Sequence, residues 1–160
     1  MDSTGVRQVR RRGRLRRGIG MVPGMNRESV VASRHVSQVI GRSADQVYEY
    51  AANPANLPKW AAGLANSPVT IDGDRLLAES PMGQVTVRFV PHNDLGVLDH
   101  DVTLPSGTVV NNPVRVLRHP NGAEILFTVR QIELSDEEFE RDLGMVAEDL
   151  RRLKDVLEAH

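Results

Sequence analysis

Residues 135–157 read SDEEFERDLGMVAEDLRRLKDVL, and this stretch decides the fold. Phe139, Leu143, Val146, Leu150, Leu153 and Leu157 recur at intervals of four, three, four, three and four. At about 100° per residue they fall within ~40° either side of one line, so one helix face is apolar along its whole length. Ser135 to Glu138 is a capping box, in which a serine hydroxyl and a glutamate three residues on satisfy free N–H groups at a helix start. Asp136, Glu137 and Glu138 open the segment and Arg151, Arg152 and Lys154 lie toward its end, as the helix dipole favours. The apolar face needs a cover. A coiled-coil seam would supply one, but the strands just upstream are nearer, so the helix is expected to pack on a sheet.

Those strands are read from runs rich in β-branched residues between turn signals. Val30 to Ile40 is the first. Pro68 to Ile71 and Arg75 to Glu79 flank Asp72-Gly73-Asp74, and Gln84 to Val90, Val97 to Leu104, Thr108 to Leu117 and Glu124 to Ile132 complete the set. Six of these seven strands are consecutive and joined by short turns, which predicts an antiparallel meander.

Turn lengths give trial registers. A Pro105-Ser106-Gly107 loop pairs Val102 with Val110, His100 with Asn112 and Leu98 with Val114. A two-residue Asn121-Gly122 turn pairs Val116 with Phe127, Val114 with Val129 and Asn112 with Gln131. A loop from His92 to Leu95 pairs Phe89 with Leu98, Val87 with His100 and Val85 with Val102. All three agree on one apolar face: Val85, Val87, Phe89, Leu98, Val102, Val110, Val114, Val116, Phe127 and Val129. The other face collects Arg88, Asp99, Asp101, Arg115, Glu124 and Arg130, with Arg88 across from Asp99, and is expected to be solvated. Pro113 sits badly in a central strand because it lacks a ladder N–H; a bulge there would shift the pairing by one. Within the apolar face His100, Asn112 and Gln131 form one polar row. Such groups either satisfy one another or face a cavity and meet a ligand or water.

Upstream, Ser43-Ala44-Asp45-Gln46 is another capping box, and Ala44, Val47, Tyr48 and Ala51 mark a helix face. Asn53-Pro54 stops that helix, and Asn56-Leu57-Pro58-Lys59-Trp60 starts a second short one. These segments, Ser43-Ala44-Asp45-Gln46-Val47-Tyr48 followed by Asn53-Pro54-Ala55-Asn56-Leu57-Pro58-Lys59-Trp60, resemble the helix pair of the START-like (SRPBCC) superfamily, the polyketide cyclase/dehydrase and lipid-transport group. Leu98-Asp99-His100-Asp101-Val102 and Ser135-Asp136-Glu137-Glu138-Phe139 resemble a bacterial branch of it. The resemblance covers residues 31–160. It implies an α+β helix-grip fold: a seven-stranded antiparallel sheet wrapped around a long C-terminal helix, with two short helices after the first strand and a ligand cavity between sheet and helix. The expected lining is Val87, Phe89, His100, Asn112, Val114, Phe127, Val129 and Gln131 from the sheet, Phe139, Leu143, Val146 and Leu150 from the helix, and Trp60 at the mouth. The fold hosts carriers, receptors and enzymes, so it does not settle activity.

The chain has 160 residues, the size of one domain, and no cysteine, which excludes disulfides, thiolate metal sites and a cysteine nucleophile. No apolar run approaches the ~20 residues of a membrane span, and the arginine-rich start lacks the apolar core of a signal peptide; a cytoplasmic protein is expected. The net charge of −1 conceals an asymmetry. Residues 1–30 carry eight arginines against Asp2 and Glu28, a net +6, while residues 31–160 carry twelve basic and nineteen acidic side chains, a net −7. The run Arg7, Arg10, Arg11, Arg12, Arg14, Arg16 and Arg17 has too little apolar content to offset its ordering entropy, and residues 1–30 are expected to be a disordered arm. Nucleic acid or anionic lipid would attract it. An upstream translation start, with Met21 or Met25 as the initiator, is the favoured reading, because no aromatic residue is interleaved for base stacking.

The histidines at 35, 92, 100, 119 and 160 show no metal-ligand spacing, and no phosphate-binding loop, dinucleotide glycine fingerprint or nucleophile elbow is present. Neither a metal nor a cofactor is expected. Asp99 and Asp101 flank His100, but strand alternation points them away from it. Three functions follow: a binder of a small apolar molecule such as a lipid or polyketide-like compound; a cyclase or dehydratase with His100 as general acid/base and Asn112 or Gln131 holding a substrate oxygen; or an interaction module using the arm. The first is preferred, and oligomeric state is left open.

Overall fold

The computed structural model describes residues 30–159; the arginine run and both alternative initiators lie outside them. The chain opens with strand β1 (Ser33–Ile40), then helix α1 (Ala44–Ala52), a 3-10 turn (Pro54–Asn56) and helix α2 (Leu57–Trp60). Strands β2 (Thr70–Asp72), β3 (Arg75–Ser80), β4 (Gly83–Phe89), β5 (His100–Thr103), β6 (Val109–Asn112), β7 (Val114–His119) and β8 (Gly122–Arg130) follow, and helix α3 (Asp136–Glu158) ends the fold.

Both capping boxes are formed. The Ser43 hydroxyl accepts from the Gln46 N–H at 3.2 Å while the Gln46 side chain accepts from the Ser43 N–H at 3.2 Å. The Ser135 hydroxyl accepts from the Glu138 N–H at 3.2 Å, and Glu138 returns the bond to the Ser135 N–H at 2.7 Å. Asn53 ends α1 and caps the next turn through its Oδ1, which accepts from the Ala55 N–H at 3.0 Å.

The strands number eight, not seven, and form two antiparallel sheets, β1-β8-β7 and β2-β3-β4-β5-β6. The extra strand arises at Pro113, where the expected Thr108–Leu117 strand divides into β6 and β7 because proline has no N–H to give the ladder. Pairing resumes in the same register. The Leu98 N–H bonds the Val114 carbonyl at 2.9 Å and the Val116 N–H bonds the Gly96 carbonyl at 2.8 Å, so residues 96–98 join the two sheets. Gly96 permits this approach, since its φ is +70° and a Cβ there would collide with the Val116 carbonyl.

The register between β5 and β6 is as read, with Val102 opposite Val110 and His100 opposite Asn112. Two other registers are corrected, each by two residues. Val87 pairs with Val102 and Phe89 with His100, because the connection runs from Pro91 to Leu98, closed by a bond from the Val90 N–H to the Asp99 carbonyl at 2.9 Å. Val114 pairs with Phe127 and Val116 with Ile125, because Pro120-Asn121 forms the turn and Gly122 is already strand. A two-residue shift preserves sidedness, so the apolar face survives: Val85, Val87, Leu98, Val102, Val114, Val116 and Val129 are all buried on it. The Arg88–Asp99 pair does not form. Arg88 bonds Asp74 at 2.7 Å, and Asp99 takes Arg115 and the Val114 N–H.

Helix α3 lies over this face. Phe139, Leu143, Leu150 and Leu153 are buried, with Val146 and Leu157 half-buried on the same stripe. Its basic residues lie inside the helix rather than in its last turn, which has none. They tie the helix down instead. Arg152 reaches the Trp60 carbonyl at 3.3 Å and Asp149 at 3.0 Å, and Lys154 reaches the Val39 carbonyl at 3.3 Å.

Candidate functional site

Between the apolar sheet face, α2 and α3 the side chains do not meet completely. They leave a cavity of about 410 Å³, within the size range of small-molecule sites. Phe89, Leu98, His100, Val102, Leu104, Val110, Asn112, Val114, Phe127 and Val129 wall it from the strands. Leu57, Trp60, Ala61 and Leu64 wall it from α2 and the loop after it, and Val146 and Leu150 from α3. Arg130, Glu138, Arg141, Asp142 and Asp149 supply its charged border.

Nine of the thirteen residues expected here border the cavity: Trp60, Phe89, His100, Asn112, Val114, Phe127, Val129, Val146 and Leu150. Four do not. Val87 is fully buried in the main core. Phe139 and Leu143 pack with Val129 in a separate small cluster, while Glu138, Arg141 and Asp142 of the same turns border the cavity. Gln131 leaves the polar row because β8 ends at Arg130. Its amide donates to the Leu134 carbonyl at 3.0 Å and to Asp136 at 2.9 Å, securing the entry into α3.

His100 is 6% exposed. Its ring lies 4.7 Å from that of Phe89 and 5.9 Å, edge-on, from that of Phe127. Burial holds its pKa below the ordinary value, against smaller opposing effects of the Leu98 carbonyl and Asp101. Nδ1 lies 3.0 Å from the Leu98 carbonyl oxygen. A carbonyl can only accept, so Nδ1 carries the proton and Nε2 of the neutral ring is a bare acceptor. Among the described residues no group bonds Nε2. The flanking acids are engaged elsewhere, Asp101 with the Asn111 amide at 2.8 Å and Asp99 with Arg115, so His100 has no carboxylate behind it.

The half-buried Asn112 side chain, opposite His100, also has no hydrogen bond among the described residues. Trp60 is 7% exposed, and its Nε1–H is buried without an acceptor. On α3, Asp142 is half-buried with no ion-pair partner among the described residues, and burial raises its pKa. Asp149 is also raised by burial, but it accepts the Gly63 N–H at 3.0 Å and pairs with Arg152. Asp142 and Asp149 carry no signal in the sequence, because both flank the apolar stripe, where a helix ordinarily meets solvent. Arg130, expected on the solvated face, borders the cavity at the end of β8.

The site is therefore a largely apolar chamber with a few unpaired polar atoms, suited to enclosing a small molecule. Among the described residues no group of His, Asp and Glu is placed to hold a metal ion, and no helix is long and apolar enough to cross a membrane.

No family model and no curated protein matches the sequence. Solved structures do. XoxI from Bacillus cereus superposes with a TM-score of 0.62 at 18% identity, over 79% of this chain and 96% of that one. Ara h 8.0201 superposes with 0.61 at 9% identity, over 82% and 100%. DynU16, a protein in the dynemicin biosynthetic locus, superposes with 0.63 at 14% identity, over 79% of this chain and 47% of that one. At these identities the likeness defines the fold: a helix-grip α+β architecture, here with a chamber between sheet and long helix.

Proposed function

We propose that this chain is a START-like binder of one small apolar molecule, of lipid or polyketide-like character, held between the sheet and α3. The observation that carries the reading is the chamber itself: about 410 Å³ with mainly aliphatic and aromatic walls. Such a space is costly to leave unfilled, because its lining loses packing contacts. Native mass spectrometry of the protein after incubation with an organic extract of its producing cells tests it. One adduct per chain, released on denaturation, is expected. An unchanged mass across extracts, with no apolar probe bound, would contradict it.

A cyclase or dehydratase reading rests on the open Nε2 of His100, with Asn112 beside it. Gln131 no longer supports it, being tied to α3. Burial makes His100 a weak base, and a backbone carbonyl rather than a carboxylate holds its Nδ1, so binding is the better-supported function. Unchanged turnover of a genuine substrate by His100→Ala would end the catalytic reading.

A further inference from the structure

We infer that the chamber selects oxygenated ligands: an apolar body carrying a hydroxyl that donates to His100 Nε2 and an oxygen that accepts from the Asn112 amide. The inference rests on the binding function proposed above and specifies the chemistry of what is bound.

Two polar groups of opposite sense lie unpaired, among the described residues, on side chains that line one cavity and sit opposite each other on β5 and β6. His100 Nε2 is an acceptor because the other ring nitrogen is committed to the Leu98 carbonyl at 3.0 Å. The Asn112 amide N–H can only donate, and no described group receives it. His100 is more than nine-tenths buried and Asn112 half-buried. Buried polar atoms are almost always paired, and the described residues offer these two no partner. A pure hydrocarbon would leave both unpaired. A molecule with a hydroxyl and a second oxygen satisfies both. The Trp60 Nε1–H is also unpaired, but it is closed off from the chamber. Phe89 and Phe127, packed on the imidazole, keep its surroundings apolar, so the body of the ligand meets carbon.

The test is a competition series against the uncharged fluorescent probe N-phenyl-1-naphthylamine, using the full chain at neutral pH. Fluorene, 9-fluorenone, 2-hydroxyfluorene and 2-hydroxy-9-fluorenone share one tricyclic body and differ only in oxygen. Hydrophobicity alone ranks fluorene tightest. The inference reverses this order, with 2-hydroxy-9-fluorenone about tenfold or more tighter than fluorene, as expected when a ligand meets a buried unpaired group. Asn112→Leu should remove the advantage of 9-fluorenone over fluorene, and His100→Phe that of 2-hydroxyfluorene over fluorene, each read as the ratio of the two affinities within one variant. The wild-type series decides even if a variant fails to fold. Equal or tighter binding of fluorene would overturn the inference while leaving the chamber as a ligand site, its polar atoms then satisfied by water. If neither the probe nor any competitor binds, the binding function falls and this inference with it.

Discussion

His100 sits between Phe89 and Phe127, and burial disfavours its charged form. Its folded pKa lies below 6.5, so between that lowered value and 6.5 the unfolded chain binds more protons. Stability therefore falls as pH drops through that window and is unaffected above it. Thermal unfolding of wild type and His100→Phe at about pH 7.5 and pH 5 should show a smaller acid-induced drop in Tm for the variant. Asp142 runs the other way. Its folded pKa is raised above 3.8, so the folded chain holds the proton more tightly, and the penalty is fully present once pH exceeds the folded value. Asp142→Asn should raise Tm at neutral pH, with the gain gone below about pH 3.5; an unchanged Tm at neutral pH would show that solvent already screens the carboxylate. At this scale the sequence was informative for His100 and Asn112, which alternation places on the apolar face. It was blind to Asp142, whose exposure depends on how α3 tilts over the chamber. It erred at Gln131, because the end of β8 is set by the bonds that begin α3.

At the scale of elements, α3 is the most legible part of the chain. Its stripe and capping box are both visible in residues 135–157, and both form. Leu150 is 1% exposed yet borders the chamber. Leu150→Ala is expected to cost ~2–5 kcal/mol, nearer the lower figure because the chamber wall already lacks some contacts. Denaturant unfolding measures this, and a bound apolar ligand should recover part of the loss. Ser135→Ala should cost about 1 kcal/mol by opening the capping box. The strand pairings were less legible. Asn93 templates the loop after β4: its Oδ1 accepts from the Leu95 N–H at 3.0 Å and the Val97 N–H at 3.1 Å, and its N–H donates to the Tyr48 hydroxyl at 2.9 Å. That last bond reaches to α1, so turn length alone could not set the register. At the other turn Gly122 was assigned to the loop because Asn-Gly favours one. It belongs to β8, where its φ of +132° and the closeness of the Ile40 and Arg42 backbones demand glycine. Both slips span two residues, which is why the sheet's apolar face keeps its side despite the wrong partners.

For the whole molecule, the helix-grip fold explains why a chain with only 4% aromatic residues keeps space inside. Its sheet face is dominated by valines, too short to fill the span to α3 where the helix presents Val146 and Leu150, whereas Phe139 and Leu143 pack into a cluster of their own. Removing residues 1–29 should leave thermal unfolding and probe binding of the remainder unchanged, since the described residues that line the chamber all lie downstream. The central claim is that the chamber takes up an apolar molecule, and filling it tests that most directly. Val146 borders the space from α3 and is half-buried, so Val146→Trp places an indole where a ligand would lie. In a titration with N-phenyl-1-naphthylamine, wild type should bind one probe per chain with enhanced fluorescence, and Val146→Trp, still cooperatively folded, should lose at least about tenfold in affinity. Equal binding by the two folded proteins, or none by wild type, would contradict the account.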